Sequence, residues 1–256
     1  MSDYMSSAEY LDYLVANCGV RGIDDKRPVE VCKRPDVDIV LQYCAWLELQ
    51  PEDKVLEVGC GIGRILKELH ESFRVRPYGT DKFPAAVAAA RERVGEICAE
   101  IACAPVEALP FSDRSFDKIL CWGVFDLTDQ ARALQEMARV LMPGGKLLLT
   151  GKNDTFALDD QEARIAEEAS VRKGIPNHYT DFAALLAWST TLGLRCERAR
   201  YFHRRGDFMQ GIGAEERPAR FYEYAVLLQR LPAASPTVTA LPVIGRLRSR
   251  GDDDLR

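Results

Sequence analysis

The densest chemistry in this sequence sits in Val55-Leu56-Glu57-Val58-Gly59-Cys60-Gly61-Ile62-Gly63-Arg64. An apolar run reads as a buried strand, stops at glycine and opens into a helix with Ile62, Ile65, Leu66 and Leu69 on one face. Glycines allow the chain to reach φ > 0 and let a ligand touch bare backbone, while the helix start presents free N–H groups. Three ligands compete for such a loop. A dinucleotide site needs G-x-G-x-x-G, but the spacing is G-x-G-x-G and Arg64 stands where the third glycine would fall. A P-loop needs Lys followed by Ser or Thr, and neither is present. The third is S-adenosylmethionine (SAM), which has no pyrophosphate. Its methionine half would lie in the loop, with Glu57 supplying negative charge to a cationic ligand. A tight turn without a ligand is the plain structural alternative.

A second acidic group supports a ligand. Tyr78-Gly79-Thr80-Asp81 ends a second strand, 22 residues after Gly59. A carboxylate at the carboxyl end of a neighbouring strand can accept from both ribose hydroxyls, and open α/β sheets bind ligands there. Asp81 could equally cap the helix that begins at Pro84.

These elements imply a scaffold. Helical periodicity over Asp36–Leu47 precedes a run of alternating strands and helices: Val55–Val58, Val75–Thr80, Pro84–Val94, Glu100–Cys103, Phe116–Trp122, Asp129–Leu141 and Lys146–Thr150. Pro143-Gly144-Gly145 reads as a turn. Such alternation predicts a Rossmann-like, doubly wound α/β fold with a mostly parallel sheet. Thr180 is expected to cap a helix reaching Thr191, and Arg195–His203 with Phe221–Arg230 to form an antiparallel edge pair. The expected organisation is an N-terminal helical lid over 1–50, a ligand-binding domain over 51–230 and a flexible tail over 231–256.

Composition narrows the function. The 256 residues are 47% hydrophobic and 29% charged, ordinary for a globular protein of this length. Net charge is −5, from 34 Lys+Arg against 39 Asp+Glu, without the basic excess of a nucleic-acid binder. No apolar run of ~18 residues suggests a membrane span, and the polar start lacks a signal peptide, so a cytoplasmic protein is expected. Eight cysteines include no C-x-x-C, and the three histidines are isolated, so no metal site is expected.

Taken in order, four blocks resemble the class I SAM-dependent methyltransferases, in particular the small-molecule group of ubiquinone/menaquinone C-methyltransferase-like (type 11) enzymes. They are Val55–Arg64; Gly79-Thr80-Asp81; Glu107-Ala108-Leu109-Pro110-Phe111 with Ser115-Phe116-Asp117; and Arg139-Val140-Leu141-Met142-Pro143-Gly144-Gly145-Lys146. The resemblance covers Leu49 to Thr150. It implies SAM as cofactor, with Gly59, Cys60, Gly61 and Gly63 around its methionine part and Glu57 beneath. Asp81 would hold the ribose, Lys82 and Val106 would flank the adenine, and Cys121 and Trp122 would border the methyl group. Pro105 stands where relatives commonly carry an aspartate for the adenine amino group.

Methyl transfer to a protonated nucleophile invites a general base. Asp126, after the fourth strand, and His178, before a later helix, are the candidates. Cys121-Trp122-Gly123-Val124 does not match the motif of nucleic-acid amino-methyltransferases. Tyr10, Tyr13, Tyr43 and Trp46 supply aromatics to the N-terminal helices, as lid or as core contacts. The expectation is transfer of a methyl group to an oxygen or carbon of a small organic acceptor, by a monomer or homodimer without nucleic-acid or membrane partners. The alternative is a SAM-binding regulator or partner subunit without catalysis.

Overall fold

The computed structural model describes residues 37–157, 159–172, 175, 177–232 and 240–247. The lid expected over 1–50 therefore lies outside the described residues up to residue 36, Tyr10 and Tyr13 included. Its described part is α1 (Val37–Cys44), followed by a 3-10 turn (Ala45–Leu47). Val40, Tyr43, Cys44 and Leu47 are buried along one face, as the apolar spacing requires.

The alternating segment builds β1 (Val55–Val58), α2 (Arg64–Phe73), β2 (Tyr78–Asp81), α3 (Pro84–Val94), β3 (Glu100–Cys103) and β4 (Phe116–Cys121). It continues through α4 (Gln130–Val140), β5 (Leu141–Lys152), α5 (Gln161–Arg172), β6 (His178–Thr180), α6 (Phe182–Thr191), β7 (Leu194–Phe202), α7 (Asp207–Gln210), β8 (Glu223–Arg230) and β9 (Gly245–Leu247). Seven strands form one sheet in the order β3-β2-β1-β4-β5-β8-β7, parallel from β3 to β5. β8 and β7 run antiparallel, so the mostly parallel α/β sheet with an antiparallel edge pair is as expected. β1 has no charge except Glu57 and is buried at all four positions, as befits a central parallel strand covered on both faces.

Several boundaries moved for local reasons. β2 starts at Tyr78 rather than Val75, because Pro77 can accept but not donate; its carbonyl accepts from Ala99 N–H. α6 is capped by Asp181, whose carboxylate accepts from the N–H groups of Ala183 and Ala184 at 3.0 Å each, while Thr180 belongs to β6. The Pro143-Gly144-Gly145 turn falls inside the span of β5, whose pairing with β4 shifts register near Phe116. The expected flexible tail is corrected at Gly245–Leu247: this stretch pairs antiparallel with His178–Thr180, and Ile244 is buried in the main core. A short strand with a lone apolar anchor leaves too little periodicity to be read from sequence.

Strand order reverses at β1, which has β2 on one side and β4 on the other. The crevice above the carboxyl ends of strands flanking such a switch point is the general ligand position in open α/β sheets. A cavity of about 490 Å³ lies there, within the roughly 300–1,000 Å³ of small-molecule sites.

Candidate active site

One end of this cavity is built by the β1–α2 loop. Gly59 and Gly61 take φ of +72° and +54°. A Cβ on Gly59 would lie 2.4 Å from Val124 Cγ2, whereas one on Gly61 would meet nothing within 4 Å and would occupy ligand space. The loop is tied to β2 at two points. Cys60 N–H donates to the Thr80 carbonyl at 2.8 Å, and Gly61 N–H donates to Asp81 Oδ2 at 2.9 Å. Asp81 Oδ1 accepts from Phe83 N–H at 2.9 Å. Asp81 caps the turn into α3 and also lines the cavity. Each of its oxygens keeps a second lone pair for a ligand. Burial pushes its carboxyl upward, and the Phe83 and Gly61 N–H groups oppose that shift.

Glu57 lies beneath the loop, 3% exposed. Its Oε2 is buried without a hydrogen-bond partner among the described residues. Burial raises its pKa well above the carboxylate range, the Arg64 charge opposes the rise and the Asp81 charge adds to it. A buried carboxyl with an orphaned oxygen beside a glycine loop suits a cationic ligand, which would satisfy that oxygen and favour the ionised form. Cys60, Lys82, Val106 and Trp122 also line the cavity.

Gly63 and Cys121 do not, contrary to expectation. Gly63 is the cap of α2 at φ +82°, and a Cβ there would strike Val94 Cγ2 of α3 at 2.5 Å. Its role is close helix packing. Cys121 is fully buried with Ile119 and Phe116 on one sheet face, while Leu120 and Trp122 point to the other. Side chains alternate along a strand, so these neighbours cannot both face the cavity. Burial also pushes the Cys121 thiol far up, which leaves it an inert hydrophobe.

Asp126 lines the opposite end of the cavity. His178 does not, again through strand alternation: Asn177 lines the cavity and Tyr179 shares its side of β6, while His178 lies on the reverse near Gly245. The sequence reading missed what surrounds Asp126. Lys152, the last residue of β5, places its ammonium 3.3 Å from Asp126 Oδ2 and 3.1 Å from Glu167 Oε1. Glu167, 1% exposed on α5, also accepts from Asn177 Nδ2 at 2.7 Å and from the Tyr222 hydroxyl. Arg205 donates to the Tyr222 hydroxyl at 3.1 Å, and Asp160 joins the Arg205 N–H to the start of α5. Burial alone would raise Glu167, but Lys152 and the donated hydrogen bonds outweigh it and hold the carboxyl low. Burial likewise opposes the Lys152 charge, and Asp126 and Glu167 outweigh it, so the ammonium is retained. Glu223, the first residue of β8, sits directly opposite Lys152 in the sheet and lines the same cavity. Burial pushes its carboxyl up to about 7, against the opposing charges of Lys152 and Arg205.

An aromatic wall closes one side. Trp122 and Phe208 line the cavity, and Tyr43 of α1 stacks on Phe208 at 5.5 Å and lies 5.8 Å from Trp122. Tyr43 is therefore a core contact that backs the cavity wall. Trp46 lies on the far side, under the Arg198 guanidinium at 4.4 Å.

Comparison with known proteins agrees with this architecture. Residues 56–149 match the family described as Methyltransferase domain. The ubiquinone/menaquinone biosynthesis C-methyltransferase of Geobacter sulfurreducens is 35% identical over 105 residues, 38% of this chain and 40% of that protein. The human protein named Probable tRNA methyltransferase 9B is 38% identical over 106 residues, 40% of this chain and 22% of that protein. The chain thus spans about two fifths of the length of the first curated relatives it matches. The solved geranyl diphosphate C-methyltransferase of Streptomyces coelicolor superimposes with a TM-score of 0.58 at 13% identity, over 75% of this chain and 76% of that one, a likeness of fold. Residues 56–149 thus match a methyltransferase domain, and this part of the chain is similar to the ubiquinone/menaquinone C-methyltransferase group of class I SAM-dependent methyltransferases.

Proposed function

We propose that this protein transfers a methyl group from S-adenosylmethionine to an oxygen or carbon of a small organic acceptor. The observation that carries the reading is the division of one cavity into two chemically different ends. The β1–α2 loop, Glu57 and Asp81 form an end suited to a cationic, hydroxylated ligand. The Asp126–Lys152–Glu167 cluster with Glu223 forms an end suited to a polar partner.

SAM supplies an electrophilic methyl group on a sulfonium. In this reading Glu57 lies under its cationic part, the bare backbone of Gly59 and Gly61 admits its methionine half, and Asp81 accepts from the ribose hydroxyls. Lys82 and Val106 flank the base. Trp122 and Phe208, backed by Tyr43, give the cavity an apolar wall. Charge is lost along the reaction, so a dry, pre-aligned site is what the chain must contribute. Asp126 remains at the acceptor end, but its pairing with Lys152 makes it an orienting group. His178 lies outside the lining and has no part in this mechanism.

Two features support a small acceptor over a nucleic acid: the chain carries a net charge of −5, and the cations that line the cavity, Arg64, Lys82, Lys152 and Arg205, are offset by carboxylates, so the described lining offers a polyanion no excess of positive charge. The test is incubation of the protein with SAM and either a panel of small phenols, diols and activated methylenes or bulk tRNA, with S-adenosylhomocysteine (SAH) read by mass spectrometry. SAH formation with a small acceptor and none with tRNA is expected. The reverse result, or SAM binding without turnover on any acceptor, would refute the proposal; the latter would favour a non-catalytic SAM-binding subunit.

A further inference from the structure

Three carboxylates face the acceptor end, and they are not equivalent. Asp126 and Glu167 share the Lys152 ammonium, and Glu167 is further committed to Asn177 and Tyr222. The Tyr222 hydroxyl engages Arg205 as well. Two cations and two carboxylates thus balance one another without Glu223. Its carboxyl makes no direct hydrogen bond or ion pair among the described residues. It is the surplus acid of the cluster, open to the cavity.

Its position suits a reacting group. Register pairs Thr150 with Ala225, Gly151 with Tyr224 and Lys152 with Glu223. Cys121 of β4 pairs with Leu149, and Gly123 N–H just beyond it donates to Thr150 Oγ1 at 2.8 Å. Glu223 therefore stands at the rim, two strands across from the end of β4, or about 9.5 Å at ordinary strand spacing. Glu223 lines the same cavity as Trp122 and Gly123, with Lys152 of the intervening strand between them, so its carboxyl and the end of β4 face one shared space.

We propose that Glu223 is the general base, accepting the proton of a hydroxyl-bearing acceptor as that hydroxyl is methylated. This rests on the methyltransferase reading above. The hydroxyl oxygen forms a bond to the methyl carbon, the carbon–sulfur bond breaks and its electron pair stays on sulfur. The hydroxyl proton passes to a Glu223 oxygen and then to water. The charged groups facing Glu223 are Lys152 of β5, Arg205 ahead of α7, Asp126 after β4 and Glu167 of α5. A carboxyl held near neutrality is matched to proton transfer at physiological pH.

The test uses the full chain with SAM and three hydroxyl probes, phenol, catechol and glycerol, beside SAH titration calorimetry. Wild type is expected to methylate at least one probe, with kcat/KM rising through a midpoint near 7. Glu223→Gln should lower kcat/KM by about 100-fold or more and lose that rising limb, because general bases contribute at least that factor. Its SAH affinity should match wild type, which also shows that the variant is folded, and Glu223→Asp should restore the limb. Loss of less than a few fold in Glu223→Gln, a limb that survives it, or no probe methylated by a wild type that binds SAH would overturn the proposal. Failure of wild type to bind SAH would instead overturn the methyltransferase reading beneath it.

Discussion

Replacing Lys152 with Met removes the one cation held between Asp126 and Glu167. At 3.3 and 3.1 Å, each attraction is roughly 5 kcal/mol at an effective dielectric of about 20, before the cost of desolvating three charges. The net effect of deleting one partner from a buried pair is a loss of about 3–5 kcal/mol, because a carboxylate is left uncompensated. The pH dependence carries a sign. In wild type the Glu167 pKa is held low, so its contribution is present above the ordinary glutamate range and lost as pH falls through the depressed midpoint. The Lys152 pKa is raised, so its contribution is complete below about 10.5 and lost only above that. The contribution of Lys152 and Glu167 themselves to wild-type stability is therefore flat from about pH 5 to 10. In Lys152→Met only the donated hydrogen bonds still oppose burial, and Glu167 takes up a proton on folding. The deficit should be full at pH 8 and shrink as pH falls to 5. Urea unfolding of both proteins at pH 5, 6.5 and 8 measures it. A loss below about 1 kcal/mol at pH 8, or an equal loss at all three values, would refute the assignment of a buried, charge-compensated cluster.

Other consequences are separate. Glu223→Gln should be near neutral for stability at pH 4.5 and stabilising by up to about 3 kcal/mol at pH 8.5. Between 4.5 and about 7 the folded state holds the proton that the unfolded state releases, so wild-type stability falls across that window and the full loss is present above it; melting temperatures across this range report the difference. SAM affinity should strengthen as pH rises toward the raised Glu57 midpoint, because a cationic ligand favours the ionised carboxyl, and Glu57→Gln should flatten that dependence in calorimetry. Gly59→Ala should destabilise the fold by about 1–3 kcal/mol in denaturant unfolding, since it combines φ of +72° with a Cβ 2.4 Å from Val124.

The sheet and the cofactor end were legible because local signals coincide there. The apolar run of β1 stops at Gly59, helical periodicity restarts at Ile62, and Asp81 falls at the end of the next apolar strand. Each step has a short-range physical cause. Gly63 and Cys121 were misplaced because their neighbours in sequence face the cavity, and only helix packing and strand alternation separate them. The acceptor end was hidden. Lys152, Glu167, Arg205 and Glu223 belong to no shared sequence motif, and burial of Glu167 on α5 arises from tertiary packing between β5, β8 and β6. A usable signal existed at two of these positions. Lys152 and Glu223 bracket the apolar strands β5 and β8 at ends that antiparallel pairing brings together, although the expected edge pair joined only β7 and β8. The strand at Gly245–Leu247 carried no such signal.

The central claim is that the β1–α2 loop, Glu57 and Asp81 hold S-adenosylmethionine. Calorimetric titration with SAM, SAH and NADH, on wild type and Asp81→Ala, tests it most directly. The account predicts one-site binding of SAM and SAH, none of NADH, and at least tenfold weaker SAM binding in Asp81→Ala, the loss of about 1.4 kcal/mol expected from charged hydrogen bonds to a ribose. Binding of NADH in place of SAM, or SAM affinity unchanged in Asp81→Ala, would contradict it.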